Sequence, residues 1–493
     1  MFHFEGASSF DLKTSGLWYN SPMKRTLIVV SNRSTISYVW AIEHGTRLRN
    51  LGVEVSLLDL SRLEGKYISR RIRWWVDLLS YKNPLPRMLS IIADKNSFNL
   101  ISWKDLKSKH IETEIDLTNN LLFENTLRSQ FSKWFGSSAI TLSDIPRRIV
   151  KREIKSFEMS YNIVNDILNR NDFDDLVTIN GRFIVEVASI LAAKENNVTY
   201  GVLENLTNND SNYSFSRKSI HSVVEMRRLV KETWLGRESD KESRSIAESH
   251  ISKRDSPLWP WKFGNSSSEI GIDAPYIAFY PTSDHEFAVM IEENELLPEM
   301  NQTDCFKLIS NYCLANCIQL VVRVHPQGRD IALAKKENEL WQTLCTENKS
   351  LCILSNQPVD SMALAKSALV NVVFASSIGV EFAYHQLPLV ICAPTTYSHY
   401  IPECEAFSAA EILLKLADPP IAENRTAVLP WAYFQEEGGT SISMFKVDSV
   451  YEIFYGAIQI DKPRKSILWL RNSRVKLINR ILGESSKRDH FEL

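Results

Sequence analysis

The stretch LVNVVFASSIGVEFAYHQLPLVIC, residues 369–392, decides the fold class of this chain. Its first part, Leu369–Phe374, has the length and composition of a buried strand. Ile378–His385 has the apolar spacing of a helix, and Pro388–Cys392 is a second apolar strand. A strand, a helix and a strand joined by short loops form one unit of a parallel sheet, so the stretch predicts an α/β domain.

The same alternation of strands and helices occurs in both halves of the chain. The apolar runs read as strands are Thr26–Ser31, Val53–Leu58, Asp175–Asn180, Val198–Leu203, Tyr276–Tyr280, Gln319–Val324 and Leu351–Leu354. A chain of 493 residues is too long for one ordinary core. We therefore predict an α/β protein with two Rossmann-like domains facing across a cleft.

Four regions are predicted. The charged and then Pro- and Ser-containing stretch 236–270 is the best candidate for a linker between the domains, and Ser449–Gly483 looks mostly helical. The predicted regions are a loose tail (1–23), an N-terminal Rossmann-like domain with a helical insertion at about 60–170 (24–262), a C-terminal Rossmann-like domain (263–425), and a C-terminal helical segment packing back on the first domain (426–493).

Composition narrows the function classes. The 57 basic and 59 acidic residues leave no basic excess that would neutralise many phosphates, so nucleic acid is disfavoured as a partner. The first 23 residues lack the apolar core of a secretory signal, and no uninterrupted apolar run is long enough to span a membrane. These features favour a cytoplasmic protein. The basic-aromatic cluster at Arg70–Trp75 is read as a partly buried amphipathic helix, with peripheral docking on the inner membrane face as the alternative.

The sequence predicts no metal site. Seven cysteines without a CxxC pair are typical of a reducing compartment and do not suggest a zinc site. The pair Asp172 and Asp174 resembles a metal-binding DxD motif, but it precedes a strand where such a motif would follow one. We therefore predict that neither a metal nor another cofactor is needed.

Polar side chains follow four of the predicted strands. In an open parallel sheet, ligands bind beyond the carboxyl ends of the strands, so a shared position there favours a binding site. The four clusters are Asn180-Gly181-Arg182, Pro281-Thr282-Ser283-Asp284, Arg323-Val-His325-Pro326, and Ser376-Ser377.

In the second domain, Ser376 and Ser377 end a strand and open a helix. Their hydroxyls suit a phosphate, although simple helix capping explains them equally well. Glu381, one turn later, could accept hydrogen bonds from ribose hydroxyls or could complement the helix dipole.

His325 directly follows another apolar strand. Pro326 stops that strand and holds the imidazole at the edge of the sheet, where it could donate to a phosphate or a base carbonyl. A structural histidine is the alternative. Arg323 alternates with His325, so both side chains could face the same side.

In the first domain, Gly181 permits a tight turn and Arg182 could bind a carboxylate or phosphate, unless it is an ordinary surface arginine. Glu204 ends the next strand and is the first candidate for a general base. Asp284 and Glu286 are rival carboxylates.

Part of the chain resembles the capsular polysaccharide biosynthesis family, bacterial transferases of the two-Rossmann (GT-B) type that include Kdo transferases. The matching segments are Arg323-Val-His325-Pro326, Pro358-Val-Asp360-Ser361, Phe374–Ala383, Leu387–Val390, Asn180-Gly181-Arg182 with Glu204, and Pro281–Phe287. Gln386 stands where the family usually has glycine. The resemblance covers about residues 175–400, and its His-Pro and Ser-Ser motifs are also similar to those with which bacterial sialyltransferases bind a CMP-sugar.

The resemblance implies a metal-independent glycosyltransferase that moves a sugar from a nucleotide donor, with CMP-Kdo or a CMP-nonulosonate favoured, to a bacterial polysaccharide or glycolipid. The residues implied to bind the donor are Thr282, Ser283, Arg323, His325, Pro326, Ser376, Ser377 and Glu381. Asn180 and Gly181 are implied on the acceptor side, with Glu204, Asp284, Glu286 and Arg182 as catalytic candidates. The alternatives are a nucleotide-sugar epimerase of the UDP-GlcNAc 2-epimerase type and a non-catalytic assembly subunit.

Overall fold

The structure is a computed structural model, and it describes only part of the chain. The described residues are 24–31, 35–61, 63, 98–101, 126–127, 129, 147–207, 209–218, 222–255, 272, 274–282, 298–325, 331–355, 357–449, 452–456 and 458–461. The predicted tail, the cluster at Arg70–Trp75 and most of the predicted insertion lie outside them. Four candidate site residues also lie outside: Ser283, Asp284, Glu286 and Pro326.

The first sheet is mostly parallel. Its strands are β1 (Arg25–Val30), β2 (Glu54–Asp59), β3 (Asn99–Ile101), β4 (Asp175–Ile179), β5 (Thr199–Glu204), β6 (Asn212–Ser216) and β12 (Thr440–Ser441). They lie in the order β12-β6-β5-β4-β1-β2-β3, and β6 and β12 are antiparallel to their neighbours. Ile28 of β1 pairs with Leu57 of β2 on one side and with Val177 of β4 on the other.

Helices cover both faces of this sheet because its strands are apolar on both faces. The helices are α1 (Thr35–Asn50), α2 (Arg147–Arg170) and α3 (Ile184–Glu195). Leu27 packs in a cluster with α2 and α3, whereas its neighbour Ile28 packs with α1 on the opposite face. The chain leaves α1 through Gly52, whose φ of 83° is readily adopted by glycine.

The second sheet is entirely parallel. Its strands are β7 (Tyr276–Tyr280), β8 (Gln319–Arg323), β9 (Leu351–Ile353), β10 (Val370–Val373) and β11 (Leu389–Ile391), in the order β11-β10-β7-β8-β9. The helices that alternate with and follow them are α6 (Gln302–Ala315), α7 (Ile331–Glu347), α8 (Ser361–Ser367), α9 (Gly379–Tyr384) and α10 (Ala409–Ala417). Side-chain caps begin three of these helices, from Asn301, Asp360 and Ser408.

The five parallel strands of each sheet have the same order, with the third, second, first, fourth and fifth strands side by side. This is the Rossmann arrangement, so the predicted α/β fold with two Rossmann-like domains is confirmed. The strand order reverses between β1 and β4 in the first sheet and between β7 and β10 in the second. A crevice opens at such a reversal, beyond the carboxyl ends of the strands.

Within the predicted linker at 236–270, residues 241–255 form a helix. The connecting helices are α4 (Val223–Trp234) and α5 (Lys241–Asp255). The Asp240 carboxylate accepts hydrogen bonds from the N–H groups of Glu242 and Ser243 and so caps α5. Ala247 and Ile251 of α5 are fully buried in the cluster that covers one face of the second sheet. The second core therefore begins with α4, earlier than the predicted boundary at 262.

The predicted C-terminal helical segment is also partly wrong. Helix α11 (Leu429–Glu437) is followed by β12 on the first sheet and then by a separate antiparallel sheet of β13 (Lys446–Ser449), β14 (Glu452–Tyr455) and β15 (Ile458–Asp461). Phe445, Val447 and Ile453 are buried against the first domain. Phe445 and Val447 are two positions apart, which is the period of a strand.

Candidate functional site

Three predicted donor-side segments follow neighbouring strands of the second sheet. Thr282 follows β7, His325 follows β8, and Ser377 follows β10, and β7 lies between the other two. The Phe374 N–H donates to the Tyr280 carbonyl at 3.1 Å, which continues the pairing of β10 and β7 to their ends. The sheet therefore brings these segments to one edge, at the reversal of strand order.

The turn that carries Ser376 and Ser377 has a special backbone. Ala375 has a φ of 56°, and the Tyr397 hydroxyl donates a 2.6 Å hydrogen bond to the Ser376 carbonyl. Helix α9 begins only at Gly379, and its N-cap residue Ile378 makes no side-chain capping bond. The capping explanation for the two serines is therefore wrong, because neither is the N-cap.

Arg254, in the last turn of α5, reaches this turn. Its Nε donates to Glu381 Oε1 at 2.6 Å, and its Nη2 donates to Ser377 Oγ at 3.2 Å. The Arg254 and Glu381 side chains are 13% and 7% exposed, so this is a nearly buried ion pair. The guanidinium also lies 5.4 Å from the centre of the Trp431 ring, within the range of a cation–π contact.

Glu381 is only half satisfied by this pair. Its Oε2 is buried and has no hydrogen-bond partner. An unpaired buried carboxylate oxygen is costly, so the site retains a capacity to accept a further hydrogen bond.

Sequence reasoning missed Arg254 because it lay in the presumed linker. The signal was present, since Ala247, His250, Ile251 and Arg254 recur at the three- and four-residue spacing of one helix face. The small and polar members of this stripe hid the pattern.

His325 is partly buried at the end of β8, and its Nδ1 is buried without a hydrogen-bond partner. Burial, together with the positive charges of Arg323 and Arg254, lowers the pKa of His325 to about 4. The imidazole is therefore neutral near pH 7. It can donate one N–H hydrogen bond to a ligand, but it does not supply a positive charge.

Arg323 has a different role from the predicted one. It is 2% exposed, and its guanidinium donates to the Leu354 carbonyl at 2.7 Å and the Val359 carbonyl at 3.2 Å. A longer contact of 3.5 Å reaches Ser361 Oγ. The side chain thus fastens the loop between β9 and α8. The expectation that it contacts the donor is corrected, because its nitrogens are occupied by the protein.

Thr282 is held through its backbone. Its N–H donates to Gln302 Oε1 at 2.6 Å, and Gln302 Nε2 donates back to the Thr282 carbonyl at 3.0 Å. Gln302 is the first residue of α6, so this reciprocal pair ties the strand end to a helix start.

The acceptor-side candidates lie together at the edge of the first sheet. Asn180 and Gly181 have positive φ values of 64° and 78°, which turn the chain sharply after β4. Asn180 Nδ2 donates to the Glu204 carboxylate, whose other oxygen accepts from the Asn205 N–H at 3.0 Å. The Asn180 Oδ1 is buried without a partner. Arg182 lies over the Phe183 ring, 5.0 Å from its centre.

A second carboxylate at this edge was missed by the sequence reasoning. Ser31, at the end of β1, donates a 2.5 Å hydrogen bond to Glu186 in the first turn of α3. The two residues are 1% and 3% exposed. They lie at the reversal of strand order between β1 and β4. The sequence signal that could have indicated this pair is the hydroxyl of Ser31, which directly follows an apolar strand.

The described residues hold no group of three or more His, Cys, Asp or Glu side chains arranged to bind a metal ion. Within the same ranges, no helix combines the length and the apolar character that crossing a membrane requires.

Comparisons with known proteins give low similarity. No protein-family profile and no curated protein matches the chain. Among solved structures, it is similar to the beta Kdo 2,4 transferase KpsC of Thermosulfurimonas dismutans, with 10% identity, 53% of this chain and 79% of that chain covered, and a TM-score of 0.34. The UDP-GlcNAc 2-epimerase of Methanocaldococcus jannaschii, solved with UDP-GlcNAc and UDP, has 10% identity over 84% of this chain and 100% of that chain, with a TM-score of 0.26. A glycosyltransferase from Rickettsia africae has 11% identity over 95% and 100% of the two chains, with a TM-score of 0.26.

Proposed function

We propose that this protein is a glycosyltransferase that uses a nucleotide sugar. The observation that carries the proposal is the cluster at the reversal of strand order in the second sheet. There a cation, a hydroxyl and two buried polar atoms without protein partners converge, on Arg254, Ser377, His325 and Glu381. Such a set suits an anionic ligand that also carries hydroxyl groups.

The donor would lie against the second sheet. Ser377 would donate to its phosphate, and the neutral His325 would donate an N–H to a phosphate or base oxygen. Glu381, first expected to accept from a ribose hydroxyl, would hold Arg254 at the site until the phosphate binds. Positive charge near the phosphate would stabilise the nucleotide as it leaves.

The acceptor would lie near Asn180, Gly181 and Arg182 at the edge of the first sheet. Its hydroxyl oxygen would attack the anomeric carbon of the donor sugar while the bond from that carbon to the nucleotide phosphate breaks. A carboxylate would take the hydroxyl proton, and the nucleotide would leave with the bonding electrons. Glu204 remains our first candidate for this base. Its contact with Asn180 would have to loosen when the acceptor binds.

For the donor we favour a CMP-sugar, and for the acceptor a bacterial polysaccharide or glycolipid. Both rest on the His-Pro and Ser-Ser motifs and on the resemblance to the capsular polysaccharide biosynthesis family. Peripheral contact with the inner membrane face belongs to the same proposal.

A nucleotide-sugar epimerase is the competing candidate. It requires carboxylates near the sugar, and the first-sheet edge carries Glu186 as well as Glu204. Incubation of the purified protein with UDP-GlcNAc alone separates the two reactions. Turnover without any acceptor would support the epimerase and contradict the transferase.

The test is a thermal-shift panel of CMP, UDP and GDP and their sugars. We expect at least one nucleotide to raise the melting temperature, and Ser377→Ala and His325→Ala to reduce that shift because each removes a ligand contact. Ser408→Ala is the matched control. It removes the helix cap of α10 and costs about 1 kcal/mol of stability, but it should leave the ligand-induced shift intact. A panel in which no nucleotide stabilises the protein would reject the donor site.

A further inference from the structure

We propose that Arg254 is a ligand of the donor's phosphate and that the phosphate takes the place of Glu381 as its partner. The inference rests on the proposed function and goes one step further. It assigns the positive charge that binds the phosphate to a residue of α5. This helix lies between the two sheets in the sequence and outside the motifs that suggested the site.

The position of Arg254 supports this role. Its guanidinium lies between Glu381 and Ser377, so it is already at the turn where a strand of the second sheet ends. The positive charge of Arg254 also contributes to the lowered pKa of His325, so the guanidinium lies near this imidazole. An arginine at this place presents a planar fork of N–H donors, which matches the oxygens of a phosphate.

The present partner of Arg254 is a poor geometric match. Nε donates to one oxygen of the carboxylate, Nη2 donates to the serine hydroxyl, and Glu381 Oε2 has no partner. A phosphate offers more acceptor oxygens than one carboxylate oxygen, so it could occupy both nitrogens of the fork. Glu381 therefore holds the arginine in the absence of an anion, as a weaker substitute for the phosphate.

The backbone that carries Arg254 is firmly held. Ala247 and Ile251 are fully buried, and His250 and Lys253 both contact the carboxylate of Glu436 on α11, at 2.8 and 3.1 Å. The exchange of partner therefore requires movement of one side chain only. Lys253, the preceding residue, points to Glu436 and not to the site, which makes it a natural control.

The experiment measures binding of CMP and UDP, and of the phosphate-free cytidine and uridine, by isothermal titration calorimetry. Arg254→Gln should weaken binding of a nucleotide that the wild type binds by about 10- to 100-fold, because charged hydrogen bonds to the phosphate are lost. Affinity for the nucleoside should not change. Lys253→Gln should change neither.

Glu381→Gln gives the sharper result. If Glu381 competes with the phosphate for Arg254, removing its charge should tighten nucleotide binding severalfold. If Glu381 binds ribose, the same change should weaken nucleotide and nucleoside binding alike, and that outcome would overturn the exchange.

A double variant serves as the control for loss of folding. Arg254→Gln alone leaves the buried Glu381 unpaired and could unfold the protein, whereas Arg254→Gln with Glu381→Gln removes both charges. The double variant should bind nucleotide about 10- to 100-fold more weakly than Glu381→Gln. Equal affinities of these two variants would reject Arg254 as the phosphate ligand while leaving the nucleotide site in place. A wild-type protein that binds neither nucleotide would reject the site as well.

Discussion

Arg323 and Arg254 show how differently two arginines beside one site can be used. Arg323 belongs to the motif that first suggested the site, yet its nitrogens are bonded to the loop between β9 and α8. Arg254 belongs to no motif, yet its guanidinium contacts Ser377 and Glu381. A sequence shows that an arginine follows a predicted strand. Which group the long side chain binds depends on the loops and helices that fold around it, and the sequence does not show that.

The structural role of Arg323 can be tested with Arg323→Met, which keeps the apolar stem and removes the donors. Two backbone carbonyls would lose a charged partner, so we expect the free energy of unfolding in urea to fall by roughly 2–4 kcal/mol. Nucleotide affinity of the folded fraction should stay within about twofold of the wild type. A stable variant that has lost nucleotide binding would restore the donor role first expected for this residue.

At the scale of single elements, the short helix α9 depends on a close approach. A Cβ atom on Gly379 would lie 2.2 Å from the Tyr397 hydroxyl, which is itself hydrogen-bonded to the Ser376 carbonyl. A larger residue is therefore excluded at position 379 by the lack of space beside Tyr397, and not by the backbone φ angle. Through this contact, the loop that carries Tyr397 sets the position of the serine turn.

Gly379→Ala should consequently distort the serine turn. We expect a loss of about 1–3 kcal/mol in stability and weaker nucleotide binding, because either the turn or Tyr397 must move. Tyr397→Phe alone should cost about 1 kcal/mol through its lost hydrogen bond. In the double variant the steric conflict is reduced, so its loss should be smaller than the sum of the two single losses. Strict additivity in urea unfolding would show that the two residues do not interact.

Strands were the elements that sequence predicted best. The central strands of both sheets are four to six residues long, and their apolar side chains are buried on both faces, which leaves a clear signal. Helix α5 was missed because its buried stripe includes Ala247, His250 and Arg254, whose composition does not look apolar. The strands after residue 445 were missed because Phe445, Val447 and Ile453 are too few and too widely spaced to distinguish a strand from a helix without knowing what they pack against.

At the scale of the whole molecule, Glu43 on α1 holds the returning C-terminal segment. It is 1% exposed, and its carboxylate accepts from the N–H groups of Ser443 and Met444 at 3.0 and 2.9 Å. Arg47, one turn later, donates to the Ser441 carbonyl at 2.6 Å. The segment that follows β12 is thereby fastened to α1.

Glu43→Ala should release this attachment. Two backbone N–H groups would lose a buried carboxylate acceptor, and we expect a loss of roughly 2–4 kcal/mol in urea unfolding together with faster proteolysis between residues 440 and 461. Glu54→Ala is the comparison, since its ion pair with Arg25 is 30% and 41% exposed and its loss should cost no more than about 1 kcal/mol. Similar losses for the two variants would contradict the attachment.

The pairing of β12 with β6 also bears on how the chain folds. Thr440 pairs with Tyr213, so the first sheet takes its last strand from a point 227 residues further along, after the whole second sheet. Contacts between such distant residues slow folding, and they cannot form on a ribosome until the later residue has been made. The first domain therefore begins to fold first and is completed last. Until then the unpaired edge of β6 is open to a neighbouring chain, so the time during synthesis when aggregation is most dangerous lasts until the second domain has emerged.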